Sequence, residues 1–324
     1  MVRPVGRRLK VVTMNRREVS SSRLNRRSIL GRTAALAAVL SFGGRLSPAT
    51  AQEATPEGGD PLAEWAPGQT ATINGAELYY EVHGPADGQP VLLLHGGFTN
   101  AESWLNLAPV LVAAGYRVIM MDSRGHGRSA WGDKPITYEQ MAADTLGLLD
   151  HLGIEKTDVV GWSDGATIAL DLAIHHPERL DRVVAYGATF SLEGVQFMPS
   201  DQMTPFERFI ADYRRLSPEP ERFEEVGAVL EALYAVAPNY SEDELRSIGV
   251  PVLILDGEAD EFVKPEHTRQ LAELIPGSTL VLIPAPGTTP RSRNPRCSTR
   301  SCLITWPGRH RRRHRPARRR RSGR

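Results

Sequence analysis

Cysteine is nearly absent: the 324 residues hold two, Cys297 and Cys302, and none precedes them. The first 296 residues therefore have no disulfide framework, and a packed core has to hold them together. Long apolar runs are missing as well. The stretch from Thr33 to Phe42 falls well short of the roughly 20 residues that span a bilayer, which excludes a stable membrane anchor. No Cys/His set has metal-ligand spacing and no glycine loop is of the phosphate-binding kind, so neither a metal nor a cofactor is expected. His310 and His314 sit among arginines, whose charge opposes a bound cation.

What is present is an ordinary globular composition, 41% hydrophobic and 24% charged, long enough for one large domain. The net charge of +1 hides three zones. Residues 1–51 hold 11 Lys/Arg against one acid, residues 291–324 hold 14 Arg and no acid, and residues 52–290 hold 14 basic against 37 acidic groups. An acidic body of this kind disfavours nucleic acid and anionic membranes as partners; the expectation of a small-molecule substrate comes from the sequence motifs.

The basic start has its own grammar. Arg26-Arg27 precede the apolar stretch, and the segment ends in Ala49-Thr50-Ala51, a small-residue cleavage pattern. The segment resembles a twin-arginine export signal, with Met14 an alternative start, and the expectation is cleavage near Ala51, engagement of the export machinery and a periplasmic or secreted product. Residues 52–68 are rich in Pro, Gly and Glu and read as a linker.

From residue 69 the pattern is α/β. "ATINGAELYYEVHG" carries a hairpin signal at Asn74-Gly75, and then apolar strands and helical patterns alternate: "PVLLLHGG", "WLNLAPVLVAAG", "YRVIMMDSRGHGRS", "TYEQMAADTLGLLDHLGI", "DVVGWSDGATIALDLAIHH", "LDRVVAYGAT". Continuous apolar strands alternating with helices predict a mainly parallel sheet covered on both faces. Residues 191–246 interrupt this with helical patterns and no strand, which predicts a small helical cap over the sheet's C-terminal edge, within a domain spanning 69–290. "PVLILDGEAD", "KPEHTRQLAELIPG" and "STLVLIPAP" then restore the alternation.

The chemistry centres on Gly161-Trp162-Ser163-Asp164-Gly165, set between an apolar strand and an apolar-periodic helix. A serine in so tight a turn points its hydroxyl off the sheet, the flanking glycines let strand and helix approach, and the helix N-terminus supplies N–H groups where an oxyanion develops. Serine attacks only when a base takes its proton, and a carboxylate must orient that base.

These motifs resemble the α/β-hydrolase superfamily over residues 70 to 289, in particular its serine esterases and lactonases and the valacyclovir-hydrolase-type members that also write G-W-S-D-G. The resemblance implies an α/β-hydrolase fold and hydrolysis of ester, lactone or amide bonds through an acyl-enzyme on Ser163. It places the acid at Asp260, with Asp256 the runner-up, and the oxyanion hole at the backbone N–H groups of Gly97 or Phe98 and Asp164. Asp122, His126 and His95 would be structural. Trp162 and Asp164 would face substrate, the Asp164 carboxylate either receiving a cationic amino group or serving only through its backbone. A cofactor-free haloperoxidase or perhydrolase activity is a further alternative on the same parts.

The family's histidine is due near Pro290, and the chain supplies "GTTPRSRNPRC" instead. No closing amphipathic helix follows. His83, His151, His175 and His176 fall on ordinary strand or helix patterns, and His267 on the exposed side of a late helix. The Arg-rich tail reads as a frame change. Taking the third base of each codon with the first two of the next, Arg291 to Gly308 can encode "FAKPAMFNEIVLDYLAG", an amphipathic helix of the missing kind. A chain without its histidine would be a catalytically impaired member of the family. Nucleotide sequencing is expected to find that alternate frame open beyond codon 291; a gene with stop codons there would remove the explanation.

Overall fold

The computed structural model describes residues 11–13, 67–196 and 206–284. The export signal and linker, apart from Val11–Thr13 and the linker's last two residues, lie outside the described residues, as do Pro290, both cysteines and the Arg-rich tail. Among the described residues nine strands form one sheet. They are β1 (Val11–Thr13), β2 (Gln69–Ile73), β3 (Ala76–His83), β4 (Pro90–Leu94), β5 (Arg117–Met121), β6 (Thr157–Trp162), β7 (Leu180–Tyr186), β8 (Val252–Gly257) and β9 (Thr279–Ile283). Their order across the sheet is β1-β9-β8-β7-β6-β4-β5-β3-β2. Only β2 with β3 and β3 with β5 pair antiparallel; the other pairs are parallel.

Seven α-helices accompany the sheet among the described residues: α1 (Ala108–Ala113), α2 (Tyr138–His151), α3 (Asp164–His175), α4 (Phe206–Leu216), α5 (Phe223–Tyr234), α6 (Glu242–Ser247) and α7 (Pro265–Leu274). The period of two in the strands sorts their side chains. Leu92, Leu94, Ile119, Met121 and Val159 join Met141, Leu148, Ile168 and Leu172 of α2 and α3 in one core. Val91, Leu93, Val118, Met120 and Val160 join Ala108 and Leu111 of α1 in the other. Both faces of the central strands are therefore buried, as the absence of polar alternation in them requires.

Chain direction decides where a site forms. Strand β4 lies between β5 and β6, so the connections after β4 and β6 leave in opposite directions and open a crevice at their C-terminal ends. The helices α4, α5 and α6 fall between β7 and β8. The last of them is the clearest local product of sequence, since Ser241 and Glu244 cap α6 reciprocally.

One buried ion pair ties the antiparallel edge to the rest. Arg124, fully buried, donates through Nε to Asp144 Oδ2 (2.6 Å) and through Nη2 to Asp144 Oδ1 (2.8 Å). Its remaining N–H groups reach the carbonyls of Trp131 (3.1 Å), Lys134 (3.3 Å) and Asn74 (3.4 Å). Asp144 also accepts from Asn74 Nδ2 (3.1 Å) and Gln140 Nε2 (2.9 Å). The β2–β3 hairpin turn, the loop after β5 and helix α2 thus share one satisfied charge cluster. Asp144→Ala leaves the guanidinium buried and unpaired, and a urea titration is expected to show a loss of roughly 3–5 kcal/mol; a loss below about 1 kcal/mol would mean that water replaces the carboxylate.

Candidate active site

The turn after β6 is built around steric exclusion. Ser163 has φ 54° and ψ −118°, a left-handed conformation that costs a non-glycine residue about 1–3 kcal/mol. Three hydrogen bonds hold it there. Its N–H donates to Tyr186 O on β7 (2.8 Å), and its carbonyl accepts from Ala166 N (2.8 Å) and Thr167 N (3.0 Å), which starts α3. A Cβ on Gly161 would stand 2.1 Å from Gly165 O, and one on Gly165 would stand 2.1 Å from Leu94 O. Strand β6, helix α3 and strand β4 are packed backbone to backbone, and only glycine permits it.

The loop after β4 lies against this turn. A Cβ on Gly96 would be 3.1 Å from Ser163 Cβ. His95 braces the loop: its Nδ1–H donates to Gly96 O (2.8 Å) and its Nε2 accepts from Ser123 N (3.0 Å), which sets the tautomer. Burial pushes its pKa down to about 4, so it stays neutral. Thr99 adds an Oγ1–H bond to Gly96 O (2.6 Å). Phe98 takes φ 58°, a second strained residue beside the first. The N–H groups of Gly97 and Asp164 have no protein acceptor among the described residues. Below the loop, buried Asp122 accepts from Ala101 N (2.6 Å) and Arg128 N (2.7 Å); burial still raises its pKa to about 6.

Asp164 is buried, and both carboxylate oxygens are engaged. Oδ1 accepts from Tyr138 OH (3.1 Å) and Oδ2 from Tyr234 OH (2.7 Å). Burial raises its pKa and the two phenols pull it back. Trp162 points to the opposite face of the sheet from Val159 and packs on the core that contains Val160. Tyr138 and Tyr234 carried no sequence signal, because they stand 26 and 70 positions from the carboxylate they meet.

The two candidate acids lie at the end of β8. Asp260 Oδ1 accepts from Phe262 N and Val263 N, both at 2.8 Å, and its carbonyl accepts from Gln196 Nε2 (2.7 Å). Asp256 is buried deeper, accepting from Gly257 N (2.8 Å) and Thr268 Oγ1 (2.5 Å). Burial, with the Asp260 carboxyl alongside, raises Asp256 to about 7.

The described histidines have other employment. Burial, and to a lesser degree neighbouring His95, hold His126 near 3, and its Nδ1–H donates to Arg124 O (2.9 Å). His267, expected to be exposed, is buried. Gly194 has no side chain to keep the turn before it away: a Cβ there would be 2.2 Å from the ring. The ring stacks on Phe190 at 3.9 Å and its Nε2 accepts from Phe190 N (3.1 Å). His83 pairs with Glu81 (2.8 Å), His151 meets Tyr80 OH (3.3 Å), and His175 and His176 face Asp171 and Glu178. Among the described residues no group of His, Cys, Asp and Glu could hold a metal ion, and no helix is long and apolar enough to cross a membrane.

An elbow serine at a helix N-terminus, a glycine loop against it and an acid after a later parallel strand define a class, the hydrolases built on an open α/β sheet. The family model for the alpha/beta hydrolase fold matches residues 89–223. The chain is 31% identical over 248 residues to a provisional non-heme chloroperoxidase of Synechocystis, covering 66% of this chain and 88% of that one. It is 29% identical over 242 residues to a provisional carbamate hydrolase of a Caulobacter species, covering 67% and 90%. Among solved structures the enol-lactonase of Burkholderia xenovorans is similar, with a TM-score of 0.53, 25% identity, and 66% and 91% of the two chains covered. The chain belongs to the α/β-hydrolase superfamily and is a hydrolase by family.

The carboxyl pair gives a pH signature. Asp256 binds its proton more tightly folded than unfolded, so its contribution is complete below its ordinary pKa of 3.8 and is lost as pH rises through about 7. Stability is expected to fall over that interval, and Asp256→Asn to flatten the fall. Equal slopes in the two proteins, measured by urea titration from pH 4 to 8, would contradict the assignment.

Proposed function

We propose that the protein is an exported serine hydrolase of ester, lactone or amide bonds, acting through an acyl-enzyme on Ser163. The observation that carries this reading is the strained Ser163 turn at the start of α3, with the Gly96–Phe98 loop packed against it. Ser163 Oγ attacks the substrate carbonyl, and the N–H groups of Asp164 and of Gly97 or Phe98 receive the oxyanion. A histidine near Pro290 takes the serine's proton and passes it to the leaving group, while Asp260 fixes its ring. Water then cleaves the ester on Ser163 by the reverse sequence. Trp162 and Asp164 are the substrate-side neighbours of the nucleophile in this reading. The likeness to an enol-lactonase favours lactones within the range.

A second reading rests on the histidines. Each described one is committed to another partner or held neutral in the core, and residue 290 is proline. A chain with this C-terminus is then a hydrolase-fold protein with little turnover, since losing the base removes most of the rate. A cofactor-free haloperoxidase-like activity uses the same parts and draws support from the Synechocystis relative. Export rests on Arg26-Arg27 and the Ala49-Thr50-Ala51 site, which would place the mature protein in the periplasm or outside the cell.

A fluorophosphonate probe separates the readings when applied to the 324-residue chain, to Ser163→Ala, and to a chain whose residues after Thr289 are replaced by histidine and the alternate frame. Labelling of the restored chain alone is the expected result. Equal labelling of the 324-residue chain at Ser163 would mean that another base serves, and no labelling of either would remove Ser163 as nucleophile.

A further inference from the structure

The two halves of the oxyanion hole come from different places, the loop after β4 and the first residue of α3. One residue outside both touches each. Tyr234, the last residue of α5, donates its hydroxyl to Asp164 Oδ2 (2.7 Å). Its ring meets the Phe98 ring edge-on, with centroids 6.4 Å apart. A Cβ on Gly97 would be 2.0 Å from Tyr234 Oη and 2.6 Å from Asp164 Oδ2, so the hydroxyl and the carboxylate together form the wall on which Gly97 rests.

Phe98 needs such support. It holds a positive φ, a conformation that persists in a bulky residue only when its surroundings over-determine it. Those surroundings are the helical insertion: Phe209 of α4 stacks on it at 6.5 Å, and Phe223, three turns before Tyr234 on α5, lies at 6.5 Å. Burial and the adjoining carboxylate keep the Tyr234 phenol protonated far above neutral pH, so it remains a donor.

We propose that Tyr234 is a positioning residue that couples docking of the α4–α5 insertion to assembly of the oxyanion hole. With α5 seated, Asp164 and the Gly97–Phe98 loop are fixed against each other; with α5 displaced, Phe98 loses the contacts that hold its strained backbone. The rate consequence rests on Ser163 being the nucleophile, whereas the mechanical coupling does not.

Hydrogen exchange on the 324-residue chain tests the coupling without any turnover. Tyr234→Phe removes the hydroxyl and keeps the ring, while Tyr138→Phe breaks the other bond to the same carboxylate, from a residue on α2 that lies outside the insertion. Exchange of the amides of residues 96–99 is expected to rise at least 5-fold in Tyr234→Phe and Tyr234→Ala and to change less than 2-fold in Tyr138→Phe. In the chain with the restored histidine, Tyr234→Phe is expected to lower the saturating rate of fluorophosphonate labelling roughly 10-fold, a fraction of the loss from deleting a whole oxyanion donor, with the half-saturating concentration little changed. Unchanged exchange at residues 96–99 in both Tyr234 variants would overturn the proposal, as would an equal rise in Tyr138→Phe. A restored chain that labels in no variant would refute the nucleophile assignment while the exchange result still decides the coupling.

Discussion

The architecture depends on one close contact. Leu94 O, Gly165 and Gly161 bring β4, α3 and β6 within backbone distance, closer than any side chain would allow. That contact leaves Ser163 a single way round the corner, at positive φ, and the hydrogen bond from its N–H to Tyr186 O holds it in place. The strain sits at the start of α3, where the turn meets the loop after β4. It is sustained by two buried cores and by the flanking parallel strands, which cannot relax without losing their own ladders.

Around this point the molecule buries carboxylates, each in a different way. Asp144 is matched by a full charge, Arg124, and so locks three segments of chain. Asp122 is met by two backbone N–H groups, with the Arg128 guanidinium 3.5 Å away, and ties the loop after β4 to the loop after β5. Asp164 is met by two neutral phenols that soften its desolvation without neutralising it. Asp256 has one hydroxyl, one N–H and a neighbouring acid, and burial raises its pKa to about 7, above the value of about 6 at Asp122. The four sites differ in the partners supplied, since burial is common to all of them.

The insertion between β7 and β8 is held by polar links at its rim and aromatic packing at its centre. Arg215 reaches Glu102 (2.8 Å), Arg222 lies over the Trp131 ring at 3.8 Å, and Tyr240 donates to Asp171 (3.0 Å). Exposed ion pairs of this sort contribute little each, so the Phe98, Phe209 and Phe223 contacts carry the greater share of docking.

The strand and helix order was legible residue by residue, because apolar runs such as "PVLLL" and "LVLI" bounded by Gly and Pro leave few alternatives. The Ser163 turn was legible for the same local reason: its glycines lie two positions away on either side. His267 was misread as exposed because its cover, Phe190 and Gly194, comes from more than 70 positions upstream. Tyr138 and Tyr234 were invisible, and Asp164 could be read only as receiving a cationic group on its carboxylate or as serving through its backbone N–H. Periodicity reports which face of an element is apolar, and it says nothing about which distant polar group meets another inside. By itself the sequence determined the α/β order and the glycine-flanked turn at Ser163. The tertiary structure alone decided how each buried charge is answered, because those partners are set by the crossing of strands far apart in the chain.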